Sequence, residues 1–142
     1  MSEQIDVVRQ YFDMMNAAIA ERDPAIIESR RRLLADDIVY QNKPLRRING
    51  KTELLRWQSE FAGCDFMRGE IRHIAQDSDW VLTERVEEWS IRGVGVGGEI
   101  MGILEVREGQ IHTWFDHMSH FGEWQASGQM PDGFFSRWSG PE

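Results

Sequence analysis

The sequence is poor in several features that mark particular classes of protein. It has a single cysteine, Cys64, so no disulfide can form within the chain, as is usual in the reducing cytoplasm. Its 16 basic residues are outnumbered by 24 acidic ones, and the net charge of −8 argues against nucleic acid or an anionic membrane surface as a partner. No apolar stretch has the length of a signal peptide or a membrane span. We therefore expect a cytoplasmic protein that binds neither nucleic acid nor membrane.

What the sequence does contain is an ordinary globular composition, with 41% hydrophobic and 28% charged residues among 142. This length predicts a single domain over residues 1–142 that can bury a sizeable core. We expect the core fold to span about residues 3–120. Residues 121–142 are rich in aromatic side chains, so we expect them to form a tail that packs on the domain or on a partner subunit.

Two helices are predicted at the start of the chain. A first helix over residues 3–20 follows from apolar residues at steps of three and four, which are Ile5, Val8, Phe12, Met15 and Ile19. Asp23 and Pro24 suit the N-cap and the first position of a second helix, which runs to about Leu34. The basic triplet Arg30-Arg31-Arg32 in this helix is interpreted as a solvated face in preference to a binding patch.

Strands are predicted mainly in the second half. Alternation of apolar and polar residues predicts four strands, at residues 66–76, 79–92, 98–107 and 110–119. A short strand over 37–42 and a third helix from Gly50 precede them. The glycine-rich run 93–98 is interpreted as a flexible hairpin connection in preference to a phosphate-binding loop, because no helix follows it. Helices upstream of long antiparallel strands predict an α+β domain, in which a strongly curved sheet would enclose a cavity.

One predicted strand carries charges on a face that would ordinarily be apolar. Because alternate side chains share a face, one side of this strand presents Val81, Thr83, Arg85, Glu87, Trp89 and Ile91. If this face is buried, Arg85 and Glu87 are interior charges, which are costly unless they are paired. Such a cluster in a cleft is a candidate functional site.

Two other strands show the same two-residue step of polar groups. Tyr40 and Asn42 share a face of the short strand, and Trp114 and Asp116 share a face of the last one. Asp116 alone could be a surface carboxylate, but a curved sheet would direct all three pairs into one cavity. Two carboxylates with Arg85 between them allow one to stay ionised while the other is protonated, which provides a base and an acid. A tyrosine hydroxyl and an asparagine amide are suited to orienting a water.

Other candidate sites are weaker. His117 and His120 have a spacing that could serve a metal on a helix, but the residues before them predict a strand, and no cysteine joins them. Cys64 has no predictable histidine partner for a nucleophilic role. We therefore expect no metal site and no organic cofactor.

Three segments of the sequence resemble a known family in order and spacing. They are Tyr40-Gln41-Asn42, Thr83-Glu84-Arg85-Val86-Glu87 and Gly109-Gln110-Ile111-His112-Thr113-Trp114-Phe115-Asp116. Together they resemble the motifs of the limonene-1,2-epoxide hydrolase family, within the NTF2-like or SnoaL-like superfamily. The resemblance covers about residues 5–120. It implies an α+β cone in which a strongly curved, mixed and largely antiparallel sheet wraps around N-terminal helices and encloses a pocket.

The resemblance also implies roles for the polar residues. Asp116 would be the general base, with Tyr40 and Asn42 completing the cradle of the attacking water. Arg85 would bridge the two carboxylates, and Glu87 would protonate the epoxide oxygen from a position where the family has an aspartate. The reaction would convert an epoxide to a vicinal diol without a covalent intermediate, metal or cofactor. Family members are usually homodimers.

Bulky side chains near these residues suggest an apolar pocket. We expect the substrate to contact Trp114, Trp89, Met118 and Ile100. A hydrophobic cyclic or aryl epoxide therefore fits better than a small polar one. The same superfamily fold also serves carboxylate-based isomerases and cyclases, of the ketosteroid isomerase and polyketide cyclase type, and non-enzymatic ligand-binding modules. These remain the alternatives to an epoxide hydrolase.

Overall fold

The computed structural model describes residues 2–21, 23–61 and 63–139, with the side chains of residues 17–21 outside the description, Ile19 among them. The helices are α1 (Glu3–Glu21), α2 (Pro24–Arg32), α3 (Lys51–Ser59), α4 (Phe121–Ala126) and α5 (Phe134–Ser139). The strands are β1 (Leu34–Lys43), β2 (Ile48–Asn49), β3 (Cys64–Asp77), β4 (Trp80–Ile91), β5 (Val94–Arg107) and β6 (Gln110–Met118). The α+β class is confirmed. Within the described ranges, no helix has both the length and the apolarity needed to span a bilayer.

The strands form one six-stranded sheet in the order β2-β1-β6-β5-β4-β3. Strands β3 to β6 pair antiparallel with their sequence neighbours, as the hairpin signals predicted. The exception is β1, which pairs parallel with β6. This pairing is responsible for the mixed character of the sheet, and it brings the chain's first strand beside its last.

The helices at the start of the chain cover one face of the sheet. Helix α1 packs against α2 and against strands β3 to β6, and its apolar stripe is buried there through Val8, Phe12 and Met15. Helix α2 begins as predicted, because the Asp23 side chain accepts a hydrogen bond from the Ala25 backbone N–H at 2.9 Å. It ends at Arg32, earlier than expected, since the chain enters β1 at once.

The hairpin connection predicted at residues 93–98 is present, but it is a tight turn and not the long flexible loop that was expected. The turn is confined to Arg92 and Gly93, both with positive φ (50° and 80°), as two-residue hairpin loops require. Residues 94–98 belong to β5 and pair with β4 in unbroken register. Two of their three glycines leave space for neighbours instead, since a Cβ on Gly97 would lie 2.8 Å from Glu88 Cγ and a Cβ on Gly98 would overlap the His120 ring.

The C-terminal segment folds back on the domain. Trp124 of α4 packs against Phe61 (ring centroids 6.1 Å apart), and Phe134 and Trp138 of α5 are buried as well. The backbone N–H of Arg46 donates to the Trp138 carbonyl at 2.7 Å, which ties the end of the chain to the region after β1. This segment therefore completes the aromatic end of the core.

Candidate active site

A buried guanidinium holds two carboxylates together on the inner face of the sheet. Arg85 is only 1% exposed. Its Nε donates to Glu87 Oε2 at 2.8 Å, and its Nη2 donates to Asp116 Oδ2 at 2.7 Å. Its Nη1 donates to the hydroxyl of Thr83 at 2.8 Å, and the face of Phe12 lies 4.4 Å from its Cζ. Every guanidinium nitrogen therefore has a partner, as a buried charge requires.

The position of Gly102 explains how Arg85 reaches Asp116. Arg85 lies on β4 and Asp116 on β6, with β5 between them, so the side chain must cross a strand over roughly 10 Å. Gly102 lies on β5 directly between Thr83 and Asp116. A Cβ at Gly102 would overlap Asp116 Oδ1 and would lie 2.5 Å from Arg85 Nη1. The ion pair therefore occupies the space that any other residue at 102 would fill.

A tryptophan orients Asp116 through a hydrogen bond to its second carboxylate oxygen. The indole Nε1 of Trp114 donates to Asp116 Oδ1 at 2.8 Å. The Trp114 ring is held edge-on by Tyr11 and Tyr40, each with centroids 5.1 Å away, and by Phe12 at 5.6 Å. Each carboxylate oxygen of Asp116 thus has one bond and keeps a lone pair for a further donor.

The parallel pairing of β1 with β6 places the predicted water cradle beside Asp116. In this register Tyr40 lies opposite Trp114, and Asn42 lies opposite Asp116. Asn42 is buried, and its Oδ1 accepts no hydrogen bond from the described residues. A buried amide oxygen without a protein donor is suited to accept from a water or a ligand.

Burial and neighbouring charges shift the pKa values of Glu87, Arg85 and Tyr40. Burial raises the pKa of Glu87, and the charge of Asp116 adds to the rise, although Arg85 opposes it. Burial alone would lower the pKa of Arg85, but Asp116 and Glu87 outweigh it, so the pKa of the guanidinium lies above its ordinary value. Burial, Asp116 and Glu87 also raise the pKa of Tyr40 well above its ordinary value. The arrangement favours a charged Arg85 and a neutral Tyr40, and it makes Glu87 easier to protonate than an ordinary glutamate.

These groups open onto a cavity of about 410 Å³. The residues predicted to be catalytic contribute Tyr40, Asn42, Glu87 and Asp116 to its lining, while Arg85 lies behind the two carboxylates. The four residues predicted to contact substrate, Trp89, Ile100, Trp114 and Met118, all line it as well. The structure therefore brings every predicted site residue to one place, and their roles stay proposals.

Several residues of the site were missed in the sequence. Thr83 lies on the predicted charged face, and Gly102 is a glycine inside a predicted strand, a signal of close approach that was available. Gln129 carried no signal. Its side-chain oxygen accepts from the indoles of Trp89 (2.6 Å) and Trp124 (3.1 Å), and its amide donates to the Val94 carbonyl at 2.8 Å. It thereby fixes two tryptophans of the cavity wall.

Replacing Gly102 by alanine is expected to disrupt the site. The new methyl group must displace Asp116 or Arg85, and an error of about 1 Å in such a group can cost on the order of a hundredfold in rate. Overpacking should also lower the free energy of unfolding by about 1–3 kcal/mol. Steady-state turnover and urea unfolding would measure both effects.

Gly95→Ala is the matched control for this prediction. Gly95 lies on the same strand, and a Cβ there would have nothing within 4 Å. Equal losses of turnover and stability in the two variants would show that the strand tolerates no substitution of its glycines. The crowding of the ion pair would then not be the cause.

Comparison with known proteins agrees with the resemblance of the motifs. Residues 2–126 match the family described as limonene-1,2-epoxide hydrolase catalytic domain. The chain is 32% identical over 84 residues to epoxide hydrolase EphG of Mycobacterium tuberculosis (strain ATCC 25618 / H37Rv). That alignment covers 59% of this chain and 56% of the length of EphG.

Solved structures share the fold. The chain is similar to an M. tuberculosis LEH-like epoxide hydrolase, with a TM-score of 0.70 and 25% identity over 88% of this chain and 89% of the other. It is also similar to a protein from Jannaschia sp. CCS1 described as a SnoaL-like polyketide cyclase, with a TM-score of 0.70 and 12% identity over 91% and 94% of the two chains. The predicted NTF2-like or SnoaL-like fold is thus confirmed.

Proposed function

The chain belongs to the limonene-1,2-epoxide hydrolase family, and from that premise we propose that it hydrolyses a hydrophobic, cyclic or aryl epoxide to a vicinal diol in one step. The observation that carries the proposal is the bridge from Arg85 to both Glu87 and Asp116 at the wall of a cavity lined largely by aromatic and other apolar side chains. A single arginine between two carboxylates allows one of them to act as the acid and the other as the base on one substrate.

Asp116 is proposed as the general base. Its free lone pairs accept a proton from a water that Tyr40 and Asn42 orient, and the water oxygen attacks one carbon of the epoxide ring. The bonds from Arg85 and Trp114 keep the carboxylate fixed while this happens. Asp116 thus ends the step with the proton that the water has lost.

Glu87 is proposed as the general acid. As the ring carbon–oxygen bond breaks, the epoxide oxygen takes the proton of Glu87, so the product is a neutral diol. The two carboxyls have then exchanged protonation states, and a proton returned from Asp116 to Glu87 restores the starting enzyme. Arg85 stabilises whichever carboxylate is ionised and needs no change of charge itself.

The glutamate at position 87 has room in this fold. Glu87 pairs with Gly69 on β3 and with Gly98 on β5, so neither neighbouring strand crowds it with a side chain. Its additional methylene extends the side chain by roughly 1.5 Å relative to an aspartate. It still reaches Arg85 Nε at 2.8 Å. The substitution is therefore compatible with the acid's role.

The experiment that tests the function uses water labelled with heavy oxygen. The purified protein is incubated with cyclohexene oxide, limonene oxide and styrene oxide, and the diol is expected to carry one oxygen from the solvent. With enzyme in excess over substrate, label that enters the protein first would contradict direct attack by water. Absence of diol, with proton exchange beside a ketone carbonyl, would instead favour an isomerase or cyclase.

The hydrolysis rate is expected to fall as pH rises through the raised pKa of Glu87. The proposed acid works only while protonated, so its loss at higher pH removes the proton donor. Glu87→Gln should lower kcat by about 10²–10⁴-fold and abolish this limb of the profile. Glu87→Asp should retain the fall in rate at high pH. Steady-state kinetics across pH would measure both.

Glu88→Gln is the control for this prediction. Glu88 is the next residue on β4, but it is exposed on the other face of the sheet and pairs with Arg68 at 3.5 Å. It should leave the profile unchanged. A native rate that does not fall at high pH, or a Glu87→Gln variant that still shows this fall, would remove Glu87 from the acid's role.

A homodimer in the cytoplasm is also proposed. The outer face of the sheet exposes three large apolar side chains on adjacent strands, Phe66, Leu82 and Met101, which are 43–56% exposed. A second copy covering this face would bury them. Light scattering would give the oligomeric state, and cell fractionation would give the location.

We further propose that residues 1–142 fold as one domain, because α4 and α5 pack on the core.

A further inference from the structure

The cavity has a second polar end, formed by helix α2. Ile27, Arg30 and Arg31 line the cavity. Their spacing of three and four residues puts them on one side of the helix. The interpretation of the basic triplet as a solvated face is therefore wrong for two of its members. Arg32 alone fits it, since its side chain is 73% exposed and lies 3.9 Å from Glu28 on the same helix.

Neither cavity arginine pairs with a carboxylate among the described side chains, which exclude those of residues 17–21. In that set, no carboxylate lies within ion-pair distance of Arg30 or Arg31. The Nε of each is buried and donates no hydrogen bond to a described residue. Arg46 and Arg137, by contrast, pair with Glu53 at 2.7 Å and with Glu60 at 2.9 Å. In a chain of net charge −8, two adjacent arginines at a cavity with no carboxylate partner among the described side chains are therefore unusual.

Tyr11 separates this end from the catalytic end. The guanidinium of Arg30 lies 5.7 Å from the centroid of the Tyr11 ring, which also contacts Trp114 at 5.1 Å and Phe12 at 5.6 Å. The Tyr11 hydroxyl accepts a hydrogen bond from Gln58 Nε2 at 3.0 Å. A ligand that reaches from Asp116 to Arg30 therefore passes along an aromatic wall and meets positive charge at its far end.

We propose that the substrate is an amphiphilic epoxide that carries a carboxylate, which Arg30 and Arg31 bind. The inference rests on the proposed epoxide hydrolysis and deepens it by naming the substrate class. The aromatic wall accommodates the apolar body, and the epoxide lies against Glu87 and Asp116. Guanidinium groups match the geometry of a carboxylate, and partial burial strengthens the attraction. The separation of the two ends also keeps the substrate's carboxylate away from the protein's own.

The test compares epoxides that differ only in charge. Styrene oxides with a 4-carboxyalkyl chain of increasing length are measured against their methyl esters. The native enzyme is expected to prefer the acid at one chain length, with the preference in KM because the contact is present before and during reaction. Arg30→Gln and Arg31→Gln should each reduce the acid-to-ester ratio of kcat/KM by about tenfold or more. Added salt should reduce it too.

Arg32→Gln is the matched control, because it removes a charge from the same triplet on the exposed side of the helix. It should leave the ratio unchanged. Esters hydrolysed as well as acids by every variant would overturn the inference while the proposed function stands. Equal falls in the ratio for Arg30→Gln and Arg32→Gln would also overturn it, as a general effect of net charge.

A binding measurement separates this inference from the hydrolysis itself. Calorimetry with 4-phenylbutanoate and with 4-phenylbutanamide needs no turnover. Tighter binding of the acid, lost in Arg30→Gln and Arg31→Gln and kept in Arg32→Gln, would support the anion site even if no epoxide is hydrolysed. Equal binding of the acid and the amide would overturn it.

Discussion

Replacing Asp116 by asparagine is expected to lower kcat by about 10²–10⁴-fold, the contribution of a positioned general base. The amide is nearly the same size and can still accept a hydrogen bond from Trp114 or Arg85, but it cannot take a proton from water. Because the variant keeps the shape of the site, substrate binding should be largely retained. Initial rates with a saturating epoxide, together with circular dichroism, would measure the change.

Two observations make the Asp116→Asn result specific. Asp36→Asn changes an exposed carboxylate on β1 and should leave the rate unchanged. Because the charge of Asp116 raises the pKa of Glu87, its removal should also shift the residual pH limb toward lower pH. Native turnover in Asp116→Asn would show that this residue is not the general base. The bridge from Arg85 to the two carboxylates would then serve another purpose.

Replacing Arg85 by methionine is expected to destabilise the fold by about 3–5 kcal/mol at neutral pH, the cost of leaving buried charges without their partner. Glu87 and Asp116 would then face each other in the interior without a cation. The pKa of a carboxyl in such a pair rises above its unfolded value, so the folded state binds more protons. Stability therefore falls as pH rises through that window and recovers as pH is lowered. Urea unfolding at several pH values would measure it.

A surface arginine on the next strand is the control. Arg107→Met removes a half-exposed ion pair with Glu105 (3.3 Å) and should cost no more than about 1 kcal/mol. Adding Glu87→Gln to Arg85→Met should restore part of the stability, since one buried charge is then gone. A loss in Arg85→Met that is independent of pH and unrelieved by Glu87→Gln would show that the packing of the side chain against Phe12 matters more than its charge.

Local patterns in the sequence predicted most of the fold. The helix start at Asp23 and the hairpin turn at Glu108-Gly109 depend on residues within a few positions of one another, and both occur in the structure. The glycine run 93–98 was misinterpreted because glycine is common both in loops and where another side chain comes close to a strand. Only the position of His120 against Gly98 separates these cases. That distance cannot be predicted from any local pattern in the sequence.

The sequence by itself determined which side chains share a face, because the two-residue period of a strand is a property of the local backbone. Arg85 with Glu87, and Trp114 with Asp116, follow from it. Only the tertiary structure decided that these pairs meet. The parallel pairing of β1 with β6 brings Asn42 to Asp116, and the glycine at 102 lets Arg85 cross a whole strand. The tertiary structure also directs Arg30 and Arg31 toward the cavity and Arg32 away from it. Contacts between distant segments depend on how the elements pack, and that is a property of the whole chain.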